Sequence, residues 1–278
     1  MNRLGDRSRR PWEPWLLAPV CLLYGGLILV PLALILWFSL ADGGTDYATV
    51  LNSPLLPVVV RNTLVISLIT TAVALLLGYV VAAALWRAAP RRRTALLAVI
   101  LLPFWTGVLI KNFAWASLLQ DNGAVNELLQ LLGITSTPIT LLHNRLAVII
   151  GMVHYVLPYA VFPIFSSMQG IDRRMEQAAR SLGASRLQVL WRIILPLTLS
   201  GVSSAGLLIF IISCGFFITP VILGAPSDMM VANLVDYYVH TTVDFGSASA
   251  LAILILLGIL PLIFLQQLLP KESMHGAG

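Results

Sequence analysis

The 278-residue chain is 58% hydrophobic and 10% charged, with a mean hydropathy of +0.90 and a formal net charge of +5. Soluble domains carry about 25% charged residues. This composition therefore excludes an ordinary soluble protein and indicates that most of the chain is surrounded by lipid. The two cysteines, Cys21 and Cys214, lie in apolar runs without CxxC spacing, so nothing supports a disulfide framework or a zinc site.

Six apolar runs are long enough to cross a hydrocarbon core of about 30 Å, which requires about 20 helical residues. In chain order they are residues 16–40, 63–86, 94–119, 146–168, 197–219 and 248–269. They predict an all-α integral membrane protein with six transmembrane helices in one domain, residues 16–269. Tails of residues 1–15 and 270–278 precede and follow it.

The basic residues predict the orientation of these helices, because lysine and arginine in short loops mark the cytoplasmic side. If the six runs cross the membrane in turn, 14 of the 17 basic residues fall on the side that holds both tails, residues 87–93 and residues 170–196. Only Arg61, Lys111 and Arg145 fall on or near the other side. We therefore expect both termini in the cytoplasm, and we attribute the pI of about 9.6 to topology rather than to nucleic-acid binding.

Two predicted outer loops have the pattern of short amphipathic helices. In the first, Asp121 or Asn122 is expected to cap a helix that ends at Gly133. In the second, Ser227 is expected to cap a helix with apolar positions at 230, 234, 237 and 238, which is either a lid or an interfacial helix. Small residues at four-residue spacing around Gly201 predict a close approach of two helices, within the chain or between chains.

A polar segment, residues 170–196, separates the fourth and fifth predicted spans. Asp172 is expected to cap a first short helix that ends at Gly183. Ser185 and Gln188 form a capping-box pattern for a second helix that ends before Pro196. From these residues alone, the segment is either a docking element for another protein or a pair of interfacial helices held on anionic lipid by their arginines.

The spacing of this segment resembles the EAA loop of membrane subunits of ATP-binding-cassette importers. The matching residues are Glu176-Gln177-Ala178-Ala179, Gly183, Ile193 and Leu195-Pro196. The strict Glu-Ala-Ala slot reads Gln177-Ala178-Ala179, with the acid one position earlier. Residues 103–115, 121–123, 217–226 and 229–233 are also similar to the first permease of spermidine/putrescine importers, with matches shared in part by importers of other solutes.

The resemblance implies a permease subunit in a bacterial inner membrane, with residues 170–196 as a cytoplasmic coupling-helix loop that docks into an ATPase subunit. The implied docking residues are Glu176, Gln177, Ala178, Ala179, Arg180, Gly183 and Ala184. It further implies a second homologous permease, two ATPase subunits that bind the ATP, and a soluble binding protein that delivers a small organic solute, with a polyamine as the expected solute. No cofactor, metal or nucleic acid is expected on the chain itself.

A polycation needs aromatic faces and a few carboxylates along its route. The candidate pathway residues are Trp105, Trp115, Tyr155, Tyr159, Phe217, Asp228 and Asp236. Packing or anchoring at the membrane interface would also explain the aromatic residues. The rival functions are a permease for another solute, a self-sufficient channel or secondary transporter, and a membrane enzyme, for which no Walker loop or Ser/His/Asp arrangement is found.

Overall fold

The computed structural model describes residues 13–268, which form helices and turns without a strand. The predicted tails therefore lie almost wholly outside the described residues. The helices of the first half are α1 (Glu13–Leu40), α2 (Thr45–Leu51), α3 (Leu55–Arg87), α4 (Pro90–Leu101), α5 (Val108–Leu119) and α6 (Ala124–Leu131). Those of the second half are α7 (Arg145–Gln169), α8 (Arg173–Ser181), α9 (Arg186–Val189), α10 (Leu195–Cys214), α11 (Ile218–Leu223), α12 (Val231–Asp236) and α13 (Phe245–Leu268). The all-α class is confirmed.

Within residues 13–268, four helices are long and apolar enough to cross a membrane: Pro19–Leu40, Leu55–Arg87, Arg145–Gln169 and Arg186–Cys214. A fifth is reached only if Pro90–Trp105 and Val108–Leu131, which are bent by 98°, are counted as one broken span. The apolar segment Phe245–Pro261 of α13 is shorter than these helices. The count of six spans therefore stays a prediction.

The third predicted span, residues 94–119, is wrong as a single helix. α4 gives way to a 3-10 turn at Leu102–Trp105, and α5 begins at Val108 in a different direction. Pro103 cannot continue the hydrogen-bond ladder, and Thr106 and Gly107 have extended backbone. Apolar length alone does not reveal such a bend.

The outer loops contain the expected helices but not the expected caps. Gly123, rather than Asp121 or Asn122, is the N-cap of α6, without a side-chain hydrogen bond. Ser227 lies in a 3-10 turn, and α12 begins later, where the N–H of Met230 donates to Oδ1 of Asn233. The cap predictions were wrong because a backbone turn and a more distant amide replace the nearest polar side chains.

Helices α3, α7 and α10 pack together at the centre of the structure. Small residues allow the close contacts: a Cβ on Gly78 would lie 2.5 Å from the Cβ of Ala160, and one on Gly201 would lie 2.6 Å from that of Ser167. The small-residue face around Gly201 therefore packs within this chain, against α7. α1 lies at the periphery against α13, and most apolar side chains of residues 20–40 are exposed.

One buried cluster joins the ends of these three helices next to residues 170–196. It contains Leu85 and Trp86 from α3, Phe165 and Met168 from α7, and Ile194 before α10. Ile171, Ala179 and Ala184 of the polar segment pack on this cluster. The segment therefore rests on a rigid base formed by three long helices.

Candidate functional site

The first half of the polar segment forms α8 with the predicted cap. Asp172 is the N-cap, and its Oδ1 accepts a hydrogen bond of 2.8 Å from the N–H of Arg174. This bond satisfies one of the free donors at the start of the helix. The helix therefore begins at the position that the sequence specified.

The turn after α8 is also as predicted. Gly183 has a φ of +88°, in the left-handed region that glycine adopts at low cost. Its N–H donates to the carbonyl of Arg180, and the N–H of Ala184 donates to that of Ala179. The helix, glycine turn and second helix predicted from the sequence are confirmed.

The second half begins with the predicted capping box. The N–H of Gln188 donates to Oγ of Ser185 over 3.2 Å, and the N–H of Ser185 donates to Oε1 of Gln188 over 2.8 Å. The predicted end before Pro196 is wrong, however, since α9 passes through a π turn at Leu190–Ile194 into α10. The wider turn accommodates a proline nitrogen that has no hydrogen to donate.

α8 presents an apolar strip that no other part of residues 13–268 covers. Met175 is 47% exposed, Leu182 is 89% exposed, and Ala178 between them is exposed. Ala179 instead turns inward and packs on the buried cluster, as Ala184 does. Met175, Ala178 and Leu182 therefore form an outward strip, whereas Ala179 makes an inward contact.

The acidic residue two positions before Ala178 faces the bundle. Oε1 of Glu176 lies 4.0 Å from Nη2 of Arg87 at the end of α3, and the Glu176 side chain is 22% exposed. Gln177, one residue later, is exposed, as is Arg180. These residues line a groove of about 670 Å³ between α8, the end of α3 and α9.

The predicted pathway aromatics fall into one cluster and several separate positions. The ring centroids of Tyr155 and Tyr159 are 6.2 Å apart, Phe216 lies 4.9 Å from Tyr155, and Phe104 lies 5.7 Å from Tyr159. The Nζ atom of Lys111 lies 5.1 Å from the centroid of Tyr155. Phe104 was not a predicted site residue, because only the fold brings the 3-10 turn after α4 to Tyr159 of α7.

The remaining aromatic candidates differ in their surroundings. Nε1 of Trp115 donates a hydrogen bond of 3.0 Å to Nδ1 of His154, which gives this histidine a partner inside the bundle. Trp105 is 84% exposed at the bend before α5. Phe217 is half-buried at the start of α11, and its carbonyl accepts a hydrogen bond from Asn233.

Asp228 lies in a buried polar network at the end of the bundle opposite residues 170–196. Its Oδ1 is 3.1 Å from Nε of Arg145, and its side chain is 8% exposed. Nη2 of Arg145 also donates to Asn62, whose amide donates to the carbonyls of Ser227 and Met229. The carboxylate is thus paired within the chain, and the network joins α3 and α7 to the turn before α12.

Asp236, the other acidic candidate, lies 2.7 Å from Nδ1 of His240 one helical turn later. Both side chains are well exposed, so this pair contributes little to stability. Among residues 13–268, no three His, Cys, Asp or Glu side chains are grouped so that they could hold a metal ion. The site features of the described chain are therefore the α8 loop, the aromatic cluster and the Asp228 network.

Comparison with known proteins identifies a family whose model matches most of the chain. Residues 74–273 match the family model "Binding-protein-dependent transport system inner membrane component". A spermidine/putrescine transport system permease protein PotB of Haemophilus influenzae is 34% identical over 249 residues, covering 85% of this chain and 87% of that protein. The PotB protein of Escherichia coli K12 is 35% identical over 221 residues, covering 79% and 80%.

A solved structure has the same fold at low sequence identity. It is a crystal structure of a bacterial alginate ABC transporter in complex with an alginate pentasaccharide-bound periplasmic protein. One of its chains aligns with a TM-score of 0.75 and 18% identity, covering 92% of this chain and 96% of that one. With the family match over residues 74–273, these similarities establish that the chain belongs to the inner-membrane permease components of binding-protein-dependent transport systems, the permease subunits of ATP-binding-cassette transporters.

Proposed function

We propose that this chain is one of two permease subunits of an ATP-binding-cassette importer for polyamines such as spermidine and putrescine. It forms half of the translocation pathway, with a second homologous permease as the other half. Two separate ATPase subunits bind and hydrolyse ATP, and a soluble binding protein delivers the solute. Both termini and the α8 loop face the cytoplasm, as the distribution of basic residues predicts.

The observation that carries this proposal is the uncovered strip of α8. Met175, Ala178 and Leu182 are exposed on a helix that is capped at Asp172 and turned by Gly183. The base beneath the helix is buried and joins three long helices. An exposed apolar strip on a firmly held helix fits a groove in a partner protein. The family match supports an ATPase subunit as that partner.

The polyamine assignment is supported by two independent features. Both relatives described above are named as spermidine/putrescine permeases. The aromatic cluster around Tyr155 also suits a cation, since this ring already accepts the ammonium of Lys111 at 5.1 Å. A primary ammonium of a polyamine can make the same contact in exchange.

Transport follows from a change in the relative stability of two states. When the two ATPase subunits close on ATP, they draw the two coupling helices together and move the permease from an inward-open to an outward-facing state. ATP supplies the bias between these states, and the loaded binding protein then releases its solute into the pathway. The exposed strip of α8 is the surface on which the ATPase subunit acts to move the permease.

The proposal is tested by co-purification of the ATPase subunit with variants of the permease. Leu182→Asp places a charge on the exposed strip, where the native side chain is 89% exposed. We expect normal insertion and loss of the ATPase subunit, because a docked carboxylate would be desolvated without a partner. Leu131→Asp is the matched control: Leu131 is 84% exposed on α6, and this variant should retain the ATPase subunit.

Three results would each count against part of the proposal. Retention of the ATPase subunit by Leu182→Asp would exclude α8 as the docking helix. Solute uptake by the purified chain without any ATPase subunit would instead support the rival channel or secondary transporter. Uptake that requires ATP but does not occur with polyamines would be consistent with the permease function and would refute the polyamine assignment.

A further inference from the structure

We infer that Glu176 is a positioning residue that connects the coupling helix to the second long helix of its own chain, rather than a contact to the ATPase. This inference rests on the proposed function. Gln177 then makes the polar contact with the ATPase subunit, and Glu176, the acid one position before the Gln-Ala-Ala slot, has a different role. The partner of Glu176 is Arg87, the last residue of α3.

The side chains of Glu176 and Gln177 point in different directions from α8. Successive residues of an α-helix differ by about 100° around its axis, so Glu176 and Gln177 leave α8 in different directions. Glu176 is 22% exposed and its Oε1 atom lies 4.0 Å from Nη2 of Arg87, whereas Gln177 is exposed. The acid therefore faces the bundle, and the amide faces outward.

The connections of α8 along the chain lead to α7, α9 and α10 but not to α3. The chain itself links this helix to α7 through residues 170–172 and to α9 and α10 through Gly183 and Ser185. Neither connection reaches α3. In the part of the chain that the structure describes, the ion pair of Glu176 with Arg87 is the charged contact between α8 and α3.

The end of α3 is held firmly by its neighbours. Leu85 and Trp86 belong to the buried cluster, and the carbonyl of Leu85 accepts a hydrogen bond of 3.1 Å from Nε of Arg93. The guanidinium of Arg93 in turn lies 5.7 Å from the ring centroid of Phe165 on α7. A displacement of Arg87 would therefore move α3 as a whole, so a movement of α8 would also move α3.

The groove beside this pair explains why the contact depends on charge. Arg87, Arg180 and Arg186 line it, and Glu176 is their one acidic neighbour in the lining. Removal of the carboxylate would leave these guanidinium groups to repel one another across a partly enclosed space. The pair therefore sets the distance between α8 and α3, even though a half-exposed ion pair contributes little to overall stability.

The test uses the complete transporter in proteoliposomes, with uptake of labelled spermidine and ATP hydrolysis measured together. We expect Glu176→Gln and Arg87→Glu to keep the ATPase subunits and their hydrolysis, while uptake per ATP falls by about fivefold or more, the range of allosteric coupling. The charge-swapped double variant Glu176→Arg with Arg87→Glu should regain most of the lost uptake. The matched control is Arg91→Glu, which changes an exposed arginine four residues away by the same two charge units.

The outcomes separate this inference from the proposed function. If Glu176→Gln loses the ATPase subunit on purification, Glu176 is itself a docking residue and the inference is wrong, while the permease function stands. If the charge swap regains nothing although both single variants insert normally, the pair does not position α8 and the inference is again wrong. If the wild-type complex shows no ATP-dependent uptake, the proposed function fails first.

Discussion

The ion pair between the half-exposed Arg145 and the buried Asp228 predicts a change in stability that depends on which partner is removed. The Asp228 side chain is 8% exposed and that of Arg145 is 41% exposed. Arg145→Met leaves a buried carboxylate whose other contact is a 3.4 Å hydrogen bond from the N–H of Ala225. An uncompensated buried charge costs about 3–5 kcal/mol, and water entering beside the half-exposed position reduces the expected cost to about 2–4 kcal/mol.

The opposite substitution should cost much less. Asp228→Asn keeps an oxygen that accepts from Arg145, and the freed guanidinium remains accessible to water, so we expect about 1 kcal/mol. In the double variant the buried charge is gone. Its cost should therefore fall short of the sum of the single variants by about 1 kcal/mol or more.

The measurement is reversible unfolding of the purified protein in mixed micelles, for wild type, both single variants and the double variant. Asp236→Asn is the control, because its pair with His240 is exposed, and it should change the free energy of unfolding by less than about 0.5 kcal/mol. Additive effects, or a larger cost for Asp228→Asn than for Arg145→Met, would refute the reasoning.

Three further predictions concern single positions. Gly201→Val should destabilise the fold by about 3 kcal/mol, since its Cβ would lie 2.6 Å from Ser167 and 2.8 Å from a backbone oxygen. The control Gly206→Val on the same helix meets one flexible leucine methyl at 3.3 Å, and its free energy of unfolding should equal that of wild type. Gly183→Pro should insert into the membrane but abolish ATP-dependent uptake, because proline cannot adopt a φ of +88°. Gly183→Asn should keep part of the uptake, and full uptake by the proline variant would contradict the assignment of this turn. Burial and the neighbouring carboxylates of Asp244 and Asp42 raise the pKa of Asp46, so the stability of the fold should increase as pH falls through this pKa. Asp46→Asn should therefore be more stable than wild type at neutral pH but not in acid, and equal melting curves at neutral pH would contradict this prediction.

Local interactions of the α8 loop could be predicted from the sequence. The caps at Asp172 and Ser185 and the left-handed Gly183 each depend on residues within four positions of one another. Local chemistry is sufficient to specify such features. The passage from α9 into α10 could not be predicted, because proline is compatible with both the start of a new helix and a π turn in a continuous one.

Contacts between distant parts of the chain could not be predicted from the sequence. Arg145 and Asp228 are 83 residues apart, and Glu176 meets Arg87 only because α7 and α3 pack side by side. The bend at Thr106 and Gly107 was hidden in a continuous apolar run. Composition predicts that a segment lies in lipid, but the packing of neighbouring helices decides where it bends and which charges become paired.

The most direct test of the central claim is solute uptake by the reconstituted complex under control of ATP. Proteoliposomes would contain both permeases and both ATPase subunits, with the binding protein and labelled spermidine on the outside. We predict uptake only when ATP is present on the side that carries the α8 loop, and none when the ATPase subunits are omitted. Equal uptake with and without ATP would contradict the account.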